Sequence, residues 1–138
     1  MLGQFQDSNI AIDLQLYGVS EDLRKPLRAI VDTGFSGYLT LPFVVAFPLG
    51  LVLKGEQSTT LANGQVSSHF VCLGTVEFLG KSLIVPIDVQ PSGPILAGMQ
   101  LLKKFEHDLI IDFVAETFEF KKSRSKQRNV LPKVRINI

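Results

Sequence analysis

The sequence predicts a mainly β fold with one or two short helices, and three observations carry that expectation. Aliphatic and polar residues alternate along several short runs, which is the period of half-buried strands. Between these runs 11 Gly and 7 Pro break the chain into turns. The apolar fraction of 46% is rich in Phe, Val, Ile and Leu, and Phe, Val and Ile suit a pleated sheet. A chain of 138 residues fits one domain, with a core that buries about two-thirds of the unfolded surface.

The elements follow in order. Residues 1–9 are polar and read as loose. Ile10, Ile12, Leu14 and Leu16 alternate with Ala11, Asp13, Gln15 and Tyr17 as a first strand. A charged turn over Gly18 to Pro26 leads into Leu27 to Asp32, the return strand of a hairpin. Tyr38 to Leu41 reads as the next strand, and the Asp32 to Gly37 loop lies between. Pro42 suits the first turn of a short helix that Pro48 stops, so Phe43, Val44, Phe47 and Leu49 are expected to cover the sheet. Asn63-Gly64 between strand-like runs predicts a tight hairpin with positive φ at both residues. Its arms are polar, with Gln57, Ser58, Thr59 and Thr60 facing Gln65, Ser67, Ser68 and His69, so this hairpin contributes little core and should project. Phe70 to Leu79 and Lys81 to Val89 continue the meander, and Leu109 to Phe113 with Thr117 to Phe120 form a last hairpin whose Asp108 and Asp112 read as strand-end charges.

The informative stretch is Ala29-Ile30-Val31-Asp32-Thr33-Gly34-Phe35-Ser36-Gly37. An apolar strand carries an acid into a turn, and Gly34 and Gly37 permit a sharp reversal with close chain approach. Asp32-Thr33-Gly34 after aliphatic residues resembles the active-site loop of the aspartic peptidases. The wider Ile30 to Pro42 segment resembles the bacterial branch of the retroviral-type, retropepsin-like (clan AA) single-domain members. Pro94-Ile95-Leu96-Ala97-Gly98-Met99-Gln100-Leu101-Leu102 is similar to that family's second signature, a strand behind the active-site loop followed by a short helix.

The resemblance implies a closed or orthogonal β-barrel over residues 1–120, active as a two-fold dimer. Hydrolysis by carboxylates needs two of them around one water, one to take its proton and one to polarise the carbonyl. Like charges that close share a proton and titrate as a unit. This chain has a single Asp-Thr-Gly, so Asp32 of two copies must meet at the symmetry axis. By resemblance Thr33 bonds across that axis, Gly34 offers its backbone to a peptide or protein substrate, and Phe35 lines an apolar cleft. The polar hairpin takes the place of the family's flap, with Ala62, Asn63 and Gly64 over the substrate. Three positions depart from the family pattern: Phe35 replaces the hydroxyl of two-lobed enzymes, Gln100 a charged residue, and Ala97 a larger aliphatic.

Other chemistry has less support. Cys72 lies on an apolar strand as a small core residue, and His69, three residues away, faces the other side of that strand. His107 has no metal-ligand partners at useful spacing, so neither metal nor cofactor is expected. One Cys, no basic-then-apolar leader in Met1 to Ile10 and no run near the ~20 residues of a membrane span point to a cytoplasmic protein without membrane attachment. All thirteen acidic residues lie before Lys121, against seven basic ones, whereas residues 121–138 hold seven basic and none acidic. Such a tail can bind nucleic acid or an acidic surface, or serve as a solvated arm that pairs with the body or its dimer mate. No aromatic follows Phe120, so base stacking lacks support and nucleic acid is not an expected partner. Val134, Ile136 and Ile138 alternate with Lys133, Arg135 and Asn137, a pattern for an interface strand at 130–138. The rival to an enzyme is a non-catalytic dimeric module that binds peptide on the same fold.

Overall fold

The computed structural model describes residues 1–123 of the chain. The basic residues from Arg124 onward and the suggested interface strand at 130–138 lie outside the described residues.

Alternation of apolar and polar side chains builds the barrel. In β2 (Ala11–Tyr17) Ile12, Leu14 and Leu16 point inward and are buried, whereas Asp13 is exposed. β3 (Lys25–Val31) returns antiparallel to β2, and outside the barrel Arg28 grips Asp13 with two hydrogen bonds of 2.8 and 3.1 Å. The guanidinium holds the Asp13 carboxyl below the usual carboxylate range. β4 (Leu39–Pro42), β5 (Val52–Thr60), β6 (Val66–Phe78), β7 (Lys81–Gln90) and β8 (Leu96–Ala97) complete a sheet ordered β2-β3-β8-β4-β7-β6-β5. Pairing of β2 with β6, from Gln15 opposite Glu77 to Tyr17 opposite Thr75, closes six of these strands into a barrel with β5 on its outer edge. The β3–β8 and β4–β7 pairs are parallel. Ile12, Leu16, Leu39, Leu41, Val76, Val85 and Ile87 fill the interior.

A short helix α1 (Phe43–Ala46) and a 3-10 turn over Phe47–Leu49 follow β4. α2 (Met99–Lys104) follows β8, and β9 (His107–Asp112) with β10 (Thr117–Lys122) forms the last hairpin. No helix among the described residues is long and apolar enough to cross a membrane.

Four sequence readings need correction. The polar N-terminus is not loose, because β1 (Leu2–Gln4) adds to β10 and makes a three-stranded sheet β1-β10-β9. Backbone pairing needs no apolar pattern there, and the Phe118 ring fills the space beside Gly3. Val44 and Phe47 are exposed at 78% and 71%; Ala46 and Leu49 bury the helical segment instead. Asp108 is buried beside the Ser123 hydroxyl, which donates to it at 3.3 Å, so it is no exposed strand-end charge. The fourth correction concerns the Asn63-Gly64 turn. It is a three-residue loop in which Gly64 alone has positive φ (+85°), closed by Gly64 N–H to the Leu61 carbonyl and Leu61 N–H to the Gln65 carbonyl.

Leu16 is fully buried and Val19, just beyond β2, is 80% exposed. Leu16→Ala should therefore cost about 2–5 kcal/mol in urea unfolding, whereas Val19→Ala should stay within about 0.5 kcal/mol.

Candidate active site

Asp32 emerges at the C-terminal end of β3, whose last residues are flanked on one side by β2 and on the other by β8. Ile30 and Val31 pair in parallel with Leu96 and Ala97, and the Asp32 N–H donates to the Ala97 carbonyl at 3.0 Å. The carboxylate is thus delivered from a strand fixed on both edges. Its side chain turns back on the loop, where Oδ1 accepts the Gly34 N–H at 2.9 Å, and the Phe35 N–H donates to the Asp32 carbonyl at 3.1 Å. Among the described residues no cationic side chain pairs with Asp32. Asp32 is partly buried, and Thr33 and Gly34 are exposed.

The start of α2 locks the other half of the loop. The first N–H groups of a helix lack partners within it. Here Met99 N–H donates to the Phe35 carbonyl at 2.9 Å and Gln100 N–H to the Gly37 carbonyl at 3.1 Å, while Gly98 N–H reaches the Tyr38 carbonyl at 2.8 Å. Loop carbonyls and helix amides satisfy one another. Gln100 therefore braces the loop through its backbone, and its exposed side chain is not required for this contact. Ala97 is fully buried between Val31 and Leu39, its partners on the two flanking strands.

Glycine is required at two of these positions by close approach. A Cβ on Gly98 would lie 2.2 Å from the Gly37 carbonyl oxygen and 2.7 Å from the Phe35 ring, and one on Gly37 would lie 2.6 Å from the same ring. Phe35 is therefore folded over the two glycines and partly buried, contributing to the loop's own packing as well as to any cleft wall.

The polar hairpin projects as its composition predicts. β7 pairs with β6 from Phe70 opposite Val89 onward, so Val66 to His69 have only β5 as a neighbour. Ala62, Asn63 and Gly64 are all exposed at its tip, and Asn63 Oδ1 accepts the Gln65 N–H at 3.0 Å. No hydrogen bond joins these three residues to the Asp32 loop among the described residues. At its base the Phe70 ring packs on Phe43 of α1 with centroids 5.5 Å apart, and Phe43 stacks on Phe47 at the same spacing. An extra residue, Lys54, shifts the β5 register between Leu53 and Gly55 where the hairpin leaves the barrel. His69 Nε2 stands 3.2 Å from Gln57 Oε1 and 4.0 Å from Asp88 Oδ1, on the outer face.

Sequence reasoning found the acid, the glycines and the strand behind them. It missed that Phe70 packs on the Phe43–Phe47 pair at the hairpin base, because Phe70 is distant in sequence and shares no pattern with them. It also missed the helix amides on the loop, although the Gly98-Met99 junction marked where they start. The remaining candidates for chemistry fall away from the loop. Cys72 is buried, and burial pushes its thiol up, away from the reactive thiolate. No group of three His, Cys, Asp or Glu able to hold a metal occurs among the described residues.

No family model matches the chain, and no curated protein matches it in sequence. Among solved structures it is similar to the EIAV protease in complex with the inhibitor HBY-793. That match has a TM-score of 0.54 and 14% identity over 71% of this chain and 88% of that one. At this identity the likeness concerns the fold, which is retropepsin-like.

The brace behind Asp32 can be tested by size alone. Gly98→Ala should lose about 1–3 kcal/mol or more in thermal or urea unfolding, because its neighbours are backbone and a packed ring. Gly55→Ala, where an added Cβ meets nothing within 4 Å, should be neutral or slightly stabilising.

Proposed function

We propose that this protein is an aspartic endopeptidase whose catalytic centre forms when two copies bring their Asp32 residues together. One observation carries the reading: an acid stands in an Asp-Thr-Gly turn at the end of a barrel strand, with its own N–H bonded to β8 and the rest of its loop held by backbone bonds from α2. A surface carboxylate with no chemical role needs no such support. The retropepsin-like fold agrees with it.

In this mechanism one Asp32 is ionised and takes a proton from a water lying between the pair, and the water oxygen bonds to the scissile carbonyl carbon. The partner copy's Asp32, protonated, stabilises the carbonyl oxygen as charge develops. Collapse of the tetrahedral intermediate breaks the C–N bond. The amine leaves with a proton from the dyad, and the acyl fragment leaves as a carboxylic acid. Gly34 N–H holds the carboxylate oxygen at 2.9 Å, which fixes the plane of the acid before substrate arrives. Thr33 is exposed and makes no side-chain hydrogen bond within the described residues, so its hydroxyl remains available to the other copy. The hairpin from Gln57 to His69 closes over the peptide and excludes water, with Ala62, Asn63 and Gly64 at its tip.

The test is cleavage of a diverse peptide mixture between about pH 4 and 7, where a shared-proton carboxylate pair operates. Wild type should cleave, with rates rising more steeply than linearly as protein concentration increases, and a statine-type inhibitor should block it. Asp32→Asn should lose at least ~10²–10⁴-fold in rate. No Asp32-dependent cleavage by folded, dimeric protein would overturn the proposal in favour of a peptide-binding module.

A further inference from the structure

Away from Asp32, three separate elements bring lysines to one cleft of about 680 Å³. Lys103 comes from the end of α2, Lys81 from the start of β7, and Lys122 from the end of β10. His107 joins them at the start of β9, and Glu106 is the one acid on the lining. The floor is apolar, made by Leu79 and Phe105.

The cleft is built rather than draped. Lys81 Nζ donates to the Lys104 carbonyl at 3.2 Å, which ties β7 to the end of α2. Glu106 turns the chain with φ of +54°, and its carbonyl accepts the Ser123 N–H at 3.1 Å, which draws the end of β10 alongside. His107 Nδ1 is bonded to the Phe105 carbonyl, so this nitrogen carries the proton and the ring's position is fixed. Next to the cleft, Asp108 is buried and accepts from the Ser123 hydroxyl.

Three lysines and one glutamate line the cleft, so its lining carries a positive balance even with Asp108 beside it, on a body whose charge up to Phe120 is acidic overall. Like charges held at one place repel, and a bound anion removes that cost. Lysine engages phosphate as a point charge from any direction, which suits a cleft whose cations come from three elements. The volume lies within the ~300–1,000 Å³ of small-ligand sites. Phe105 is only 3% exposed, so no ring face is offered for stacking a base.

We infer that this cleft binds a small ligand through a diphosphate group, held by Lys81, Lys103 and Lys122 with His107 at its side. The ligand is recognised by its phosphates and not by an attached base.

Calorimetric titration of the full chain with pyrophosphate and with ADP, at about 50 mM salt, tests this. One saturable site is expected, with ADP within about threefold of pyrophosphate and both weakened about tenfold or more in Lys103→Gln/Lys122→Gln. The control Lys25→Gln/Lys54→Gln removes the same charge elsewhere and should bind as wild type, as should Arg124→Gln/Lys126→Gln/Arg128→Gln in the basic tail. No saturable binding, or equal weakening in the control or the tail variant, would overturn the assignment. ADP binding far more tightly than pyrophosphate would overturn phosphate-only recognition.

Discussion

The backbone junction between the Asp32 loop and Gly98 governs the rest of the structure. Asp32 N–H to Ala97, Gly98 N–H to Tyr38, Met99 N–H to Phe35 and Gln100 N–H to Gly37 are four hydrogen bonds within a few residues, all between one loop and one strand-helix junction. Ala97 and Gly98 are buried, and there an unmade backbone bond costs about 1–3 kcal/mol. Because β8 lies between β3 and β4 in the sheet and pairs with both, the Asp32 loop has to bridge the gap between those strands. The position of the acid is thus a consequence of sheet order.

The projecting hairpin shows the opposite design. Its outer half pairs with one strand only, its side chains are mostly polar, and among the described residues its tip makes no hydrogen bond beyond its own turn. A segment with few buried contacts opens at low cost. Its base is fixed instead: Phe43, Phe47 and Phe70 form an aromatic stack beside the barrel, and the Lys54 bulge changes the strand's course. In the proposed function the hairpin serves as the lid and the loop presents the acid, and each has fixed support at its base. The two lie on one small barrel.

Much of this was legible in the residues. Period-2 alternation in Ile12, Leu14 and Leu16 located β2, and Asp32-Thr33-Gly34 with Ile95-Leu96-Ala97-Gly98 located the loop and its support, because tight turns and close approaches restrict residue choice. What stayed hidden was of a different kind. Leu2–Gln4 pairs through its backbone, which leaves little trace in side chains. The exposure of Val44 and Phe47 depends on how a four-residue helix is rotated against the sheet, and burial of Asp108 depends on Ser123 folding back over it. Asn63-Gly64 announced a hairpin correctly but not its loop length, because Asn63 stabilises the turn by accepting the Gln65 N–H rather than by adopting positive φ. Lys81, Lys103 and Lys122 come together only through topology and had no motif to mark them.

The central claim is that one active site takes one Asp32 from each of two copies. Mixing wild type with Asp32→Asn at fixed total concentration, after allowing subunits to exchange, tests it most directly. If both acids are needed and the subunits pair at random, peptide cleavage falls as the square of the wild-type fraction. A linear fall would mean that each chain works alone, and the shared dyad would be wrong.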